Sequence, residues 1–400
     1  MRRMQILTFL TAAIMIGVNI SIGLIGIGEE KKTHSVKVGF VYDGDESAPY
    51  SNNFIKAQKK LEAQDFGARV ITVAKTNIPE GDEEQAIQEL IDENCDIIFT
   101  TSYGYEKVAK KMAKDNPDIQ FCQATGDNAN EEPLSNYHTF MGEIYQGRYI
   151  SGLIAGMKLK EMIDEGELDV ENVKLGYVGA FPYAEVISGY TAFILGVRSV
   201  VPTATMDVRY TNTWSSYALE KACAEQLIED GCVIISQHSD TIGPAVACEE
   251  AKEKGANVYH VGYNQSMIDI APTTSLVSSR IDWSVYILSA VNAVMNDENI
   301  EKSIEGNVHG NDVGGGFEYG WVNMLDINNL IAAEGTEEVV DAEIEKFKKK
   351  QIIVFKGGYT GINPDDENDT INLNKGYIEN KNASAPSFHY ILKDIVNIKE

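Results

Sequence analysis

Two acids, Asp43 and Asp45, follow directly on the apolar run Val36-Lys37-Val38-Gly39-Phe40-Val41. Paired carboxylates can serve as general acid and base, the equipment of a nucleoside hydrolase. Nothing beside them in the sequence supplies burial or a matched partner. The six histidines (His34, His138, His238, His260, His309 and His389) form no HExxH and no other close metal pair. No GxSxG elbow and no GxxxxGK[ST] occurs, and no GxGxxG follows the first apolar run. No catalytic residue, cofactor or metal is therefore expected. What recurs instead are rings beside neutral hydrogen-bonding groups. The first group is Tyr42, Asp43, Asp45, Pro49, Tyr50, Ser51, Asn52 and Asn53. Others are Thr100-Thr101-Ser102-Tyr103-Gly104, Phe181-Pro182-Tyr183, Asn212-Thr213-Trp214, Gln237-His238-Ser239-Asp240 and Tyr263-Asn264-Gln265. Stacking faces with amide and carboxylate partners suit the holding of a flat, polar heterocycle without breaking a bond.

Each group lies just past a strand-like run, so the scaffold must bring many strand ends to one place. The chain alternates β-branched runs with segments of 3.6-residue period. The runs are Val36–Tyr42, Arg69–Val73, Asp96–Thr101, Gln120–Ala124, Lys174–Gly179, Met206–Thr211, Cys232–Gln237, Val258–Gly262 and Leu276–Ser279. Helices are predicted over Asn53–Gln64, Glu83–Glu93, Tyr105–Asp115, Glu143–Lys160, Ala184–Val197, Ser216–Asp230, Pro244–Lys254 and Val285–Met295. Several strands are apolar throughout, as expected where helices cover both faces of a parallel sheet. The alternation occurs twice, to about residue 140 and again from about 173 to 280. The fold class is α/β with two lobes, each with a parallel sheet, and a ligand between them. A Gly-rich run at 314–316 follows, then a strand-like run from Ile352 and a loose polar stretch, Asn363–Asn382.

Sixty acids against 34 bases give a net charge of −26. That balance opposes binding of DNA or RNA, whose phosphates need basic patches, and fits a solvated surface. Met1-Arg2-Arg3 is basic, and Ile6 to Ile27 is apolar but for Thr, Asn, Ser and Gly. Residues 1–30 read as an export signal, cleaved or retained as a membrane anchor, with the remainder outside the cytoplasm. No cysteine near its end offers a lipid-anchor site. Five cysteines cannot all pair, and buried thiols are expected, with a Cys223–Cys232 bond as the alternative.

The stretch GFVYDGDESAPYSNNFIKAQKKLE resembles the opening of the basic membrane protein family of ABC-transporter substrate-binding proteins. That group includes purine-nucleoside-binding lipoproteins. Further similar stretches follow in order: TTSYGYEKVAKKMAKDNPDIQF, EIYQGRYISGLIAGMKLK, KLGYVGAFPYAEVISGYTAFILGVRSVVP, WSSYALEKACAEQLIEDGCVIISQHSD and VYHVGYNQSM. The resemblance implies a type I periplasmic-binding-protein clamshell with a three-crossover hinge. Lobe one would take 36–140 plus 281–317, and lobe two 141–280 plus 318–400.

It also implies a small-molecule ligand, a nucleobase or nucleoside, and an ABC permease as partner. A membrane-anchored sensor of the same fold is the alternative. Carried over by position, Tyr50 is the ring that stacks in the first loop, near Asp43, with Ser51, Asn52 or Asn53 as polar partners. Ser102 and Gly104 match the third-strand loop. Trp214, beside Phe181, is the candidate second ring, and His238 and Asp240 form a polar strand-end pair. The family's Gly-x-Asp, which grips ribose hydroxyls, reads Gly262-Tyr263-Asn264 here, and Asn grips a diol less strongly than a carboxylate. Arg280 is placed either against the ligand or in a hinge salt bridge.

Overall fold

The computed structural model describes residues 34–400, so the segment 1–30 lies outside the described residues. The first half runs β1 (Val36–Val41), α1 (Pro49–Ala63), β2 (Val70–Lys75), α2 (Glu83–Asp92), β3 (Ile97–Thr100), α3 (Glu106–Asp115), β4 (Gln120–Ala124) and β5 (Tyr137–Gly142). The second runs α4 (Tyr145–Asp164), β6 (Lys174–Gly179), α5 (Ala184–Arg198), β7 (Thr205–Tyr210), α6 (Tyr217–Glu229), β8 (Ile234–His238), α7 (Gly243–Glu253), β9 (Tyr259–Tyr263) and β10 (Ser275–Ile281). The chain continues through α8 (Ser284–Met295), α9 (Ile300–Ser303), β11 (Asn307–His309), β12 (Asp312–Gly315), β13 (Val322–Met324) and α10 (Thr336–Lys348). It ends with β14 (Thr360–Asn363), β15 (Asp366–Asn372), β16 (Ile391–Leu392) and β17 (Val396–Lys399).

Two seven-stranded sheets result, ordered β11-β12-β5-β4-β3-β1-β2 and β13-β10-β9-β8-β6-β7-β17. All pairings are parallel except those of β11 with β12 and β10 with β13. In both sheets the strand order reverses beside the first strand of the repeat, between β1 and β3 and between β6 and β8. Loops leaving the carboxyl ends there diverge to opposite faces of the sheet, and the crevice between them is where open α/β sheets bind ligands.

The chain passes between sheets three times: after β5, after β10 and after β12. The crossovers are tied to one another. Glu143 N–H donates to the Gly315 carbonyl at 2.8 Å, and the Phe317 N–H donates to Gln146 Oε1 at 3.0 Å. The Asp282 N–H reaches the Trp321 carbonyl at 2.7 Å. Burial, with Glu318 nearby, pushes the Glu143 carboxyl up to about 7.

In the lobe of β1–β5, aromatic rings fill the core. Phe54 stacks on Trp283 at 4.3 Å and Phe140 on Tyr286 at 3.8 Å. In the other lobe α4 and α5 approach backbone to backbone. A Cβ at Gly152 would strike the Phe193 carbonyl, and one at Gly196 the Tyr149 carbonyl, so both positions require glycine.

Three expectations need correction. Helix α1 begins at Pro49, not near Asn53, because Pro at the first position lacks only an N–H that would go unused there. Strand β5 was not anticipated. His138 and Thr139 break its apolar pattern, yet both are buried and bonded, His138 to Glu301 and Thr139 Oγ1 to Asp312 at 2.9 Å. The stretch 363–382 is not loose. It holds the end of β14 and all of β15, which pairs with β14. The sequence of β15, DENDTIN, hides this because its side chains are polar on both faces. All five cysteines are free, four of them buried and Cys223 half-buried. Among the described residues no helix is long and apolar enough to cross a membrane.

Candidate ligand-binding site

A slot opens between the two sheets at the two switch points, lined by Asp43, Tyr50, Ser102, Tyr103 and Thr125 on one side. Glu185, Trp214, His238, Asp240 and Tyr263 line the other. Eight of these residues lie at or just beyond the carboxyl end of a strand, and Tyr50 and Glu185 lie in the first turns of α1 and α5. About 350 Å³ is empty, but the space is slot-like and in this closed form has room for water rather than a nucleoside. A ligand must therefore enter with the lobes parted. Tyr103 of one lobe already meets Tyr183 of the other, ring centres 6.0 Å apart.

The first wall is held by its own lobe. Tyr50 donates to the Thr101 carbonyl at 2.6 Å and rests edge-on against Phe54 at 5.2 Å and Trp283 at 6.4 Å. Ser51 Oγ donates to Asp43 at 2.8 Å and accepts from the Gly44 N–H at 3.1 Å. Ser102 Oγ donates to Glu80 at 2.6 Å. Burial raises the Asp43 carboxyl, and the Ser51 bond partly offsets it. The Tyr103 hydroxyl is pushed up to about 12 by burial, then by Asp127 and Glu106. Thr125 has φ +61°, a left-handed backbone that a β-branched residue rarely adopts, and strain of this kind tends to mark functional positions.

The second wall keeps spare capacity. Asp240 is 6% exposed, and no side-chain or backbone donor among the described residues reaches its carboxyl oxygens; its own N–H donates to the Trp214 carbonyl at 3.0 Å. Its carboxyl is raised well above the usual range, chiefly by burial and then by Asp43, Glu220 and Glu185, against the opposing charge of Arg148. His238 Nε2 lies 3.3 Å from Glu185, while its Nδ1 is buried without a partner. Burial and then Arg148 lower the His238 ring, with Glu185 opposing, which favours its neutral form. Arg148, from the second turn of α4, lies under this wall with its guanidinium carbon 3.6 Å from the centre of the Tyr263 ring. Its Nη1 donates to the Gln237 carbonyl at 2.8 Å, and its Nε and Nη2 are buried and unpartnered. The slot thus gathers three carboxyl groups, four aromatic side chains and one imidazole.

Six of the thirteen expected residues line the slot: Asp43, Tyr50, Ser102, Trp214, His238 and Asp240. Ser51 acts through Asp43. Asn53 Nδ2 donates to the Ile281 carbonyl at 2.7 Å, tying α1 to a crossover, and Asn52 lies outside the lining. The Gly104 N–H donates to Glu80 at 3.0 Å, and a Cβ there would strike that carboxylate. Phe181 packs behind the wall, against Tyr183 at 4.9 Å and Trp214 at 5.3 Å. Asn264 is buried in a left-handed conformation (φ +64°) that Asn tolerates, and its Nδ2 finds no partner. Arg280 lies 3.8 Å from Asp282 near the second crossover, outside the lining.

Sequence reasoning did not select Tyr103, Thr125, Glu185, Tyr263 or Arg148. Tyr103 and Tyr263 stood in the ring-bearing loops already singled out. Arg148 carried no local signal, since it lies behind the slot's lining, against Tyr263 and the Gln237 carbonyl. Asp45 points elsewhere: it is half-buried and accepts from Ser47 at 2.6 Å, which holds its carboxyl below the usual range, so it makes no acid–base pair with Asp43.

The chain is thus a two-lobed α/β body with a slot between its lobes. The chain matches the model of the PnrA-like ABC transporter substrate-binding proteins over residues 35–355 and belongs to that family. It is therefore a substrate-binding protein of an ABC transporter and not an enzyme. It is similar to a purine-binding protein of Brucella abortus, 29% identical over 330 residues, 80% of this chain and 85% of that one. It is also similar to a Haloferax volcanii protein named as a candidate glucose-binding protein of an ABC transporter. The two are 31% identical over 276 residues, 69% of this chain and 63% of that one. A solved ABC-transporter solute-binding protein of Conexibacter woesei shares the fold, with a TM-score of 0.60 at 16% identity, covering 79% of this chain and 97% of that one.

Proposed function

We propose that the slot holds a purine-type nucleobase or nucleoside for delivery to an ABC permease on the outer face of the membrane. In this reading the lobes are 36–140 plus 281–317 and 141–280 plus 318–400, and they part to admit the ligand. Residues 1–30 serve as export signal or anchor. The observation that carries the reading is the convergence of Asp43, Glu185 and Asp240 on one slot that Tyr50 and Trp214 also line. Asp240 is buried and Asp43 and Glu185 are half-buried, and carboxyl groups so placed need hydrogen-bond donors. The ring N–H and exocyclic amino groups of a purine supply them in one plane, leaving both faces for aromatic contact. Such contact contributes about 0.5–1.5 kcal/mol per ring beyond burial. The Brucella relative, named as purine-binding, supports the same class.

A thermal-shift screen of the protein over purines, pyrimidines, nucleosides and sugars tests the reading. A ligand at about 100 times its dissociation constant adds about 2.7 kcal/mol, so a purine base or nucleoside is expected to raise the melting temperature by several degrees. No shift with any base or nucleoside overturns the assignment. A shift with glucose alone transfers it to sugars, the class named for the Haloferax relative.

A further inference from the structure

Residues 356–400 lie beyond the family match and build an extra wall at the end of the second lobe. They form a small sheet, β15-β14-β16, and then add β17 to the edge of the second lobe's sheet beside β7. Between these elements the segment 379–389 is fastened to both lobes. Glu379 accepts from Ser188 Oγ of α5 at 2.8 Å, from the Ser387 N–H at 2.6 Å and Oγ at 2.9 Å, and from the Phe388 N–H at 3.1 Å. Ser384 donates through N–H at 2.5 Å and through Oγ at 2.6 Å to Asp312, at the start of β12 in the other lobe. Glu379, Ser384 and Asp312 are all buried. Charge-assisted bonds away from water make this a fixed wall rather than a loose tail.

That wall borders a second, half-open chamber with about 490 Å³ of room for water, against about 20 Å³ in the slot. Both spaces share Tyr103, Thr125 and Glu185, so the chamber opens onto the slot past the Tyr103–Tyr183 pair. The lobes contribute Asp127, Met141, Pro182 and Ile187, and the C-terminal segment contributes Asn363, Pro364, Asp365, Ala385, Pro386 and His389. The lining has apolar and ring faces and three carboxyl groups, and neither lysine nor arginine. An anionic group entering it would meet like charge with no cation other than a protonated His389 to offset it.

We propose that this chamber is a second subsite, built by the C-terminal segment, for a neutral or cationic substituent on the ligand whose ring occupies the slot. It selects against phosphorylated ligands. The proposal rests on the purine reading above.

Calorimetry of the full chain with adenine, adenosine and adenosine 5′-monophosphate tests it, with Ala385→Trp to fill the chamber and Asp365→Lys to reverse one charge. Wild type is expected to bind adenosine at least tenfold more tightly than the monophosphate. Ala385→Trp should weaken adenosine at least tenfold and adenine less than twofold. Asp365→Lys, an exposed position, should narrow the gap between adenosine and the monophosphate at least threefold. Binding of adenine or adenosine by wild type, with Ala385→Trp shifting both equally or neither, overturns the subsite while the purine reading stands. If Ala385→Trp lowers the melting temperature, Asp365→Lys decides alone, and an unchanged gap overturns the proposal. Wild type that binds none of the three overturns both.

Discussion

The two walls of the slot are built on opposite principles. On the lobe of β1–β5, Asp43, Tyr50 and Ser102 each have a partner within their own lobe, at 2.8, 2.6 and 2.6 Å. On the lobe of β6–β10, the Asp240 carboxyl, His238 Nδ1 and two Arg148 nitrogens have none among the described residues. A wall whose groups are satisfied is already in place before a ligand arrives and loses little on ordering. A wall with unmet groups is costly to close on itself and gains when a ligand meets them. The first lobe acts as a template and the second supplies the unmet demand.

The largest expected effect falls on Asp240. Asp240→Asn removes a charge-capable acceptor and should weaken a purine ligand about 30-fold, or about 2 kcal/mol, measured by calorimetry. The same change should stabilise the unliganded protein, since burial and three neighbouring acids oppose the charge. The sign with pH follows from the raised carboxyl. Its contribution to stability is full below the unfolded value near 3.9 and is lost as pH rises through the higher folded value. The melting-temperature advantage of the Asn variant should therefore grow from about pH 4 upward. An advantage that shrinks with rising pH would contradict the description of the second wall.

Trp214→Ala comes next. It removes a ring face and its burial, and about a tenfold loss of affinity is expected. Unchanged affinity in calorimetry would remove Trp214 from the site and leave Phe181 and Tyr183 as packing only. The smallest effect is expected at Ser51→Ala, on the satisfied wall. It should cost about 1 kcal/mol of stability in denaturant unfolding and change affinity less than threefold. A larger loss of affinity than of stability there would erase the contrast between the walls.

Much of this was legible in the sequence because the relevant signals are local. Apolar runs of four to seven residues, each followed by a helical period, give parallel sheets covered on both faces, and the loops after them carry the ligand groups. Asp43, Tyr50, Ser102, Trp214, His238 and Asp240 were visible because each follows such a run. Strand β5 was hidden because its polar His138 and Thr139 find partners, Glu301 and Asp312, more than 160 positions away. Strand β15 was hidden because it has no buried face to impose alternation.

The sequence by itself determined the α/β class, the twofold repetition and the loops that line the slot, since periodicity and turn chemistry act over a few residues. Tertiary structure alone decided which groups in those loops are satisfied and which are left free. It brought Arg148 beneath Tyr263 and Glu185 beside His238, and it carried the C-terminal segment across to Asp312. These outcomes depend on which distant groups share a buried space, and burial sets both the need for a partner and the electrostatic consequence of lacking one.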